Sequence, residues 1–242
     1  MKKIIKIVLK ILPYLIVSLP WIYYYRLRKN KISRIKKYHK IRTFLNKVSK
    51  LLSMEYEIEG KENLPVEESY LICPNHQSLV DPFIFINVFN DPISFVSKEE
   101  VKKMPIIRTF VSLLDGYYLE RDNLKQEIKT MKAIQKEMDE KNVRYVVFPE
   151  GTRTKDPSLK MNPFKPGAFK FTMNSSKKIV PVCIYGTRDV FDKKVNKKKY
   201  KIKVKFYPPV DKNYYEGKTT IEVASFVQNQ IKEGLDEFCK QN

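Results

Sequence analysis

The pattern that most limits the possible fold begins at Met54, where short apolar runs start to alternate with stretches of helical character. Asp81–Asn90, with Pro82 in its first turn, predicts one helix, and Leu124–Met138, with Asn123 as N-cap, predicts another. Strands that alternate with helices predict an α/β domain. The seven predicted strands are Glu55–Glu59, Ser69–Cys73, Ile93–Ser97, Tyr117–Leu119, Val143–Phe148, Ile179–Tyr185 and Lys201–Tyr207.

The amino-terminal residues 4–25 form the most apolar region, although Lys6 and Lys10 interrupt it and Pro13 and Pro20 punctuate it. A helix needs about 20 apolar residues to cross a bilayer, so this stretch is barely long enough. It ends in a cluster of Trp and Tyr at residues 21–25, which favour the membrane interface, where a signal peptide would have small residues. We predict a membrane-associated helix that is half-inserted rather than spanning; an ordinary buried helix is the alternative.

Residues 26–50 are strongly basic, with eleven Lys or Arg and no acidic residue. Their apolar residues recur at close to helical spacing, and a basic amphipathic helix beside an apolar one is typical of an anionic membrane surface. A solvated charged helix or a nucleic-acid-binding segment is the alternative, but neither explains the apolar neighbour. We therefore predict that residues 1–53 anchor the protein to the cytoplasmic face of the cell membrane and that residues 54–242 form the folded domain.

Cysteine and glycine usage excludes several classes of protein. The three cysteines are scattered and form no C-x-x-C motif, which argues against a disulfide framework and a structural zinc site. The seven glycines form neither G-x-G-x-x-G nor a P-loop, so nucleotide chemistry has no support. We predict no metal site and no bound cofactor. The net charge of +20 predicts anionic partners.

The stretch Cys73–Asp81 contains one of only two histidines, His76, with Asp81 five residues further on. A His and an Asp between a strand and a helix suggest a general base and the carboxylate that orients it. Since five residues of ideal helix place two side chains about 140° apart, we expect His76 in the turn and Asp81 in the first helical turn. A loop histidine beside an N-cap aspartate is the alternative.

A second polar stretch, Phe148–Arg153, follows another predicted strand. Its glycine lets the backbone approach a ligand closely, and its arginine suits phosphate oxygens. Lys98 and Arg121 also follow predicted strands, and open α/β sheets bind ligands at the carboxyl ends of their strands. A strand-ending turn with a surface ion pair is the alternative for this stretch.

These stretches together resemble the glycerophospholipid acyltransferases, specifically the bacterial 1-acyl-sn-glycerol-3-phosphate acyltransferase family. The resemblance covers residues 60–209 and implies one mixed-sheet domain flanked by helices. One departure is Leu119-Glu120-Arg121, where the family usually has Ile-Asp-Arg. The matching blocks are Asn75-His76 with Asp81, residues 116–121, Phe148–Arg153, residues 164–168, and residues 180–182 with Gly186-Thr187.

The resemblance implies transfer of a fatty acyl group from a thioester to the sn-2 hydroxyl of 1-acyl-sn-glycerol 3-phosphate, which gives phosphatidic acid. It implies that His76 is the general base, oriented by Asp81. The other implied roles are phosphate binding by Arg121, Arg153 and Lys98, a substrate pocket shaped by Glu150, Gly151 and Thr152, and an acyl-channel wall that includes Pro181 and Val182.

Several alternatives stay open at this point. The acceptor is alternatively glycerol 3-phosphate or another lysophospholipid, and the donor is acyl carrier protein or coenzyme A, since both present the same thioester. Outside enzymes, the chain is alternatively a basic membrane- or nucleic-acid-binding protein with an incidental motif. We predict an anionic membrane, a lysophospholipid and the acyl donor as partners, and no nucleic acid. The sequence makes no prediction of oligomeric state.

Overall fold

The computed structural model describes residues 2–120, 124–156 and 158–240. Within them, the strands are β1 Met54–Glu59, β2 Tyr70–Pro74, β3 Ile93–Lys98, β4 Tyr117–Leu119, β5 Arg144–Val147, β6 Lys178–Tyr185 and β7 Tyr200–Phe206. The α-helices in the same residues are α1 Lys2–Leu27, α2 Arg34–Leu51, α3 Asp81–Val88, α4 Pro105–Leu113, α5 Leu124–Lys141, α6 Gly167–Asn174, α7 Thr187–Phe191, α8 Lys212–Tyr215 and α9 Thr220–Lys240.

The seven strands form one sheet in the order β1-β7-β6-β2-β5-β3-β4. Neighbouring strands are parallel except for β6 and β7, so the sheet is mixed, as the sequence predicts. The parallel strands β2, β5 and β3 are adjacent and end at the same edge, where open α/β sheets bind ligands. The chain after each of these strands contains a predicted site stretch, so the strand order brings the three stretches together.

Each predicted strand matches an observed one to within one residue at either end. The predicted helix at Asp81–Asn90 ends earlier, at Val88, because Phe89 is extended. The predicted helix at Leu124–Met138 continues to Lys141, and its predicted N-cap Asn123 lies outside the described residues.

Helices cover both faces of the sheet, and the central strands β2, β3, β5 and β6 are largely buried on both sides, as expected for parallel strands. Ile72 and Val146 face a core that includes α2, α3 and α4, whereas Leu71 and Tyr145 face one that includes α5, α6 and α9. The alternation within each strand follows from the two-residue side-chain period of β-structure.

The second helix, α2, packs against the sheet, and its apolar residues belong to the same hydrophobic core. Its residues Tyr38, Ile41 and Leu45 are at most 1% exposed and pack in the same cluster as the strands. Its Lys37 ammonium, also buried, lies 3.0 Å from a carboxylate oxygen of Asp115, after α4. α2 and the sheet bury their apolar faces against one another. The predicted boundary at residue 53 between a membrane anchor and the folded domain stays a prediction.

The first helix lies along the domain. Among the described residues, Lys3–Leu27 is the one helix long and apolar enough to cross a membrane, a test that core helices and signal sequences also pass. Only 6% of its most apolar window is buried. Near its carboxyl end, Trp21 stacks on Phe110 of α4, and at its amino end Lys3 donates to three backbone carbonyls in residues 189–195. Both ends of α1 therefore contact the domain while its outer apolar face is exposed.

Candidate active site

His76 and Asp81 form a hydrogen-bonded pair at the carboxyl end of β2. His76 lies in the loop after the strand, and Asp81 is the first residue of α3. The distance from His76 Nδ1 to Asp81 Oδ2 is 2.7 Å. Because an ionised carboxylate only accepts hydrogen bonds, Nδ1 carries the proton and Nε2 keeps its lone pair. This is the tautomer that a general base requires.

The carboxylate of Asp81 is fixed by two further donors. Its Oδ2 also accepts from the backbone N–H groups of Gln77 at 2.7 Å and Ser78 at 2.8 Å. The Asp81 side chain is fully buried, whereas the side chain of His76 is 18% exposed. The imidazole is therefore accessible to a substrate, and the carboxylate behind it is not.

The backbone of His76 is held by the Phe148–Arg153 stretch and the residue after it. The His76 N–H donates to Glu150 Oε1 at 2.6 Å, and its carbonyl accepts from the Thr154 N–H at 2.9 Å. The ring lies 4.2 Å from that of Phe148, between centroids. The two motifs are thus one unit, since the second fixes the backbone and ring of the residue that the first provides.

A largely apolar cavity of about 680 Å³ opens beside His76. Such a cavity suits a hydrocarbon chain, because apolar walls favour apolar ligands. Lys98, Arg153 and Lys165 contribute cationic groups to its lining. Its apolar walls include Ile86, Phe95, Ile107, Phe110, Leu114 and Met131.

Comparison with known proteins identifies the family. The family model described as Acyltransferase matches residues 55–185, more than half of the chain. The chain belongs to the acyltransferase family. The matched region contains the His76–Asp81 pair and the stretch that holds it.

Individual relatives agree with this assignment. A Saccharomyces cerevisiae protein named 1-acyl-sn-glycerol-3-phosphate acyltransferase is 31% identical over 60% of this chain and 48% of its own length. A Mycoplasma pneumoniae protein with the same name, marked probable, is 28% identical over 80% of this chain and 79% of its own. A Borreliella burgdorferi protein of that name is 26% identical over 60% of this chain and 57% of its own. The matches thus span about half the length of the yeast and Borreliella proteins.

The fold of this chain is shared with a solved structure. The crystal structure described as the 1-acyl-sn-glycerophosphate (LPA) acyltransferase PlsC from Thermotoga maritima superposes with a TM-score of 0.75. The match covers 98% of both chains at 24% sequence identity. At that identity the likeness shows the fold alone.

The structure places Glu150, predicted to shape the substrate pocket, against the backbone of His76. It is 2% exposed and is not among the described residues that line the cavity. Besides the His76 N–H, its carboxylate accepts from the backbone and side-chain N–H groups of Asn162, at 2.7 and 3.0 Å. Burial raises the pKa of Glu150 above its usual range, and these hydrogen bonds oppose that shift. The carboxylate is thus occupied by the chain around His76, and a role of Glu150 in shaping the pocket stays a prediction.

Besides His76, four of the predicted site residues line the cavity. Gly151, with φ at +67°, turns the chain after Glu150, and the exposed Thr152 and Arg153 follow. Lys98 Nζ lies 3.9 Å from Glu100 Oε1. Arg121 lies outside the described residues, although Leu119, at the end of β4, reaches the cavity.

The structure places Pro181 and Val182, predicted in the acyl-channel wall, inside the sheet. Both are buried inside β6, opposite Cys73 and Pro74 of β2, and neither is among the described residues lining the cavity. Strand order explains this position, because β2 lies between β6 and β5, on which the cavity opens. The two residues support the strand that leads to His76.

Two further residues, Asn75 and Lys165, contribute to the site without having been predicted as site residues. Asn75, 1% exposed, is bonded twice to the backbone of Ile184: its Nδ2 donates to the carbonyl at 2.9 Å, and its Oδ1 accepts from the N–H at 2.7 Å. This clamp ties the His76 loop to β6. Lys165 lines the cavity, and its own N–H donates to the Pro149 carbonyl at 2.9 Å. Both residues belong to blocks that carry the family resemblance, which was the available signal.

Proposed function

We propose that this protein transfers a fatty acyl group from an acyl thioester to the sn-2 hydroxyl of 1-acyl-sn-glycerol 3-phosphate, forming phosphatidic acid for phospholipid synthesis. The observation that carries the proposal is the 2.7 Å His76–Asp81 pair at an apolar cavity that also has cationic groups. The names of the yeast, Mycoplasma and Borreliella relatives support the same acceptor.

In the proposed reaction, His76 Nε2 takes the proton of the acceptor hydroxyl while the oxygen attacks the thioester carbonyl carbon. Asp81 stabilises the imidazolium that forms and holds its ring. The tetrahedral intermediate collapses by breaking the carbon–sulfur bond, and the imidazolium returns its proton to the leaving thiolate. The alcohol is the nucleophile, so the proposed route needs neither an acyl-enzyme on Ser78 nor a cofactor beyond the thioester.

We propose that Arg153 binds the acceptor phosphate, with Arg121 and Lys98 as further cations and Lys165 beside them. Arg153 is exposed at the cavity and makes no hydrogen bond or ion pair with another described residue. A guanidinium offers two parallel N–H donors to phosphate oxygens, and the other cations add charge. Thr152 and Gly151 lie on the same wall.

The proposed site of action is the cytoplasmic face of the cell membrane, with α1 half-inserted. Support comes from the contacts at both ends of α1, since a spanning orientation would break the Lys3 bonds to residues 189–195. The exposed face includes Leu9 and Val17, 64% and 76% exposed, which suits burial in one leaflet. A tag placed before Met1 should therefore be accessible from the cytoplasmic side, and protection of that tag would contradict half-insertion.

The decisive experiment is an acyl-transfer assay with purified protein and a matrix of substrates. Donors are acyl-coenzyme A and acyl carrier protein thioesters; acceptors are 1-acyl-sn-glycerol 3-phosphate, glycerol 3-phosphate, lysophosphatidylcholine and monoacylglycerol. We expect thiol release and phosphatidic acid only when 1-acyl-sn-glycerol 3-phosphate is present. Preferred use of another acceptor would reassign the substrate. Equal thiol release without any acceptor would refute acyl transfer, and salt-sensitive DNA binding without turnover would indicate a basic binding protein.

A further inference from the structure

A second apolar depression lies between α1 and α4, outside the catalytic cavity. Its volume is about 540 Å³, and it is walled by Ile16, Leu19 and Tyr23 of α1 and by Ile106 of α4, among others. Leu19 is 47% exposed and Ile106 is 38% exposed, so the groove is open at the surface. Exposed apolar surface that forms a concavity is typical of a ligand or membrane contact.

The groove and the catalytic cavity share α4 as a common wall. Ile107 and Phe110 line the cavity, whereas Ile106 and Thr109 line the groove. The helical period of 3.6 residues places these two pairs on different faces of α4. Trp21 of α1 stacks on Phe110, with ring centroids 6.5 Å apart, so one layer of aromatic side chains stands beside both spaces.

The chemistry at the rim of the groove favours an anionic lipid. Arg26 is the one charged residue in its described lining, and it makes no ion pair with another described residue. It lies less than two helical turns beyond Tyr23, so an apolar wall leads to a cation along α1. The exposed apolar residues Leu9 and Val17 lie on the same helix, α1.

We propose that the groove between α1 and α4 binds one acyl chain of an anionic glycerophospholipid, with Arg26 at the phosphate. This site is separate from the acyl-transfer cavity and goes beyond the proposed function. A lipid in this groove is separated from the cavity beside His76 by α4. The bound lipid fixes the depth of that cavity relative to the bilayer surface.

The single tryptophan of the chain provides the readout, since Trp21 adjoins the groove residues Pro20 and Ile22. The experiment uses the full-length protein with phosphatidylcholine–phosphatidylglycerol vesicles whose acyl chains are brominated, because bromine quenches indole fluorescence at short range. The test variant is Leu19→Ser/Ile106→Ser, which removes one apolar group from each wall. The matched control is Leu9→Ser/Val17→Ser, which removes the same kind of group from α1 outside the groove.

We expect the groove variant to lower the lipid affinity reported by quenching about tenfold, since burying an aliphatic side chain is worth roughly that factor. Quenching per bound protein should persist in the control, even where its overall vesicle binding weakens. Arg26→Gln should remove about fivefold of the preference for phosphatidylglycerol over phosphatidylcholine vesicles. Thermal unfolding of each variant establishes that the fold is intact.

Equal loss of quenching per bound protein in both double variants would overturn the proposal, because the groove would then be an ordinary part of the inserted face. It would also be overturned if the wild type were a dimer that only the groove variant dissociates, with quenching unchanged. The binding readout does not depend on turnover, so failure of the acyl-transfer assay and failure of this proposal are distinguishable.

Discussion

Replacement of Asp81 by Asn isolates the charge of the carboxylate from its geometry. Asp81 Oδ2 accepts three hydrogen bonds, and two of the donors are the backbone N–H groups of Gln77 and Ser78. These fixed donors force the amide of an Asn to place its oxygen, not its nitrogen, at that position. His76 Nδ1 then keeps its acceptor and the imidazole keeps its tautomer, so Asp81→Asn removes the charge and leaves this hydrogen bond in place. The new amide N–H groups occupy the position of Oδ1, which is buried and has no hydrogen-bond partner among the described residues, so thermal unfolding is measured beside kcat.

The size of the effect follows from the 2.7 Å separation of His76 Nδ1 and Asp81 Oδ2. Two opposite charges 4 Å apart attract by about 4 kcal/mol at an effective dielectric constant of 20. Hydrogen bonds to a charged group contribute about 1.5–3 kcal/mol, against about 1 for neutral partners. The carboxylate is buried but the imidazole is partly exposed, so we expect a loss of about 3 kcal/mol of imidazolium stabilisation, or about 10²-fold in kcat.

The assay is steady-state thiol release with 1-acyl-sn-glycerol 3-phosphate as acceptor. We expect kcat of Asp81→Asn to fall with little change in acceptor KM, because Asp81 lies behind His76 and away from the cavity. Asp81→Ala should lose more activity, since it also leaves two backbone N–H donors without an acceptor. Asp139→Asn is the surface control, since Asp139 lies on α5, across the sheet from α3, and pairs with Lys177 at 3.1 Å. A kcat within about threefold of the wild type for Asp81→Asn would refute the electrostatic role, since a loss of about 3 kcal/mol lowers kcat about 10²-fold.

Three further outcomes are expected. His76→Ala should lower kcat by about 10²–10⁴-fold, the usual contribution of a general base, and wild-type activity in the folded variant would exclude that role. Arg153→Ala should raise the KM for phosphate-bearing acceptors and not for monoacylglycerol, and unchanged KM and kcat would remove Arg153 from phosphate binding. Burial raises the pKa of Glu150 above 4.5. The native state therefore binds that proton more tightly than the unfolded state, and the group's contribution to stability falls as pH rises from 4.5 towards neutrality. The denaturation midpoint of the wild type minus that of Glu150→Gln should fall over this range, and a constant difference would contradict the shift.

The two amino-terminal helices, α1 and α2, are less separate from the domain than the sequence pattern indicates. The basic residues of α2 alternate with apolar ones that pack in the core of the sheet, and Lys37 is itself buried against Asp115. Basic amphipathic character alone does not distinguish a helix that lies on a membrane from one that covers a sheet. Here α2 covers the sheet, and α1 has the exposed apolar face.

The sequence by itself determined what depends on neighbours along the chain. The seven strands follow from local apolar runs, and the pairing of His76 with Asp81 follows from five residues of separation at a strand-to-helix junction. Strand order depends instead on contacts between distant segments, and the same apolar runs are compatible with many orders. Only the tertiary structure therefore decided that Glu150, 74 positions from His76, anchors its backbone, and that Pro181 and Val182 are buried behind β2. The groove beside α4 is likewise decided by packing. Its two walls come from helices about 80 residues apart, and the local sequence pattern specifies each helix but not which helix packs beside it.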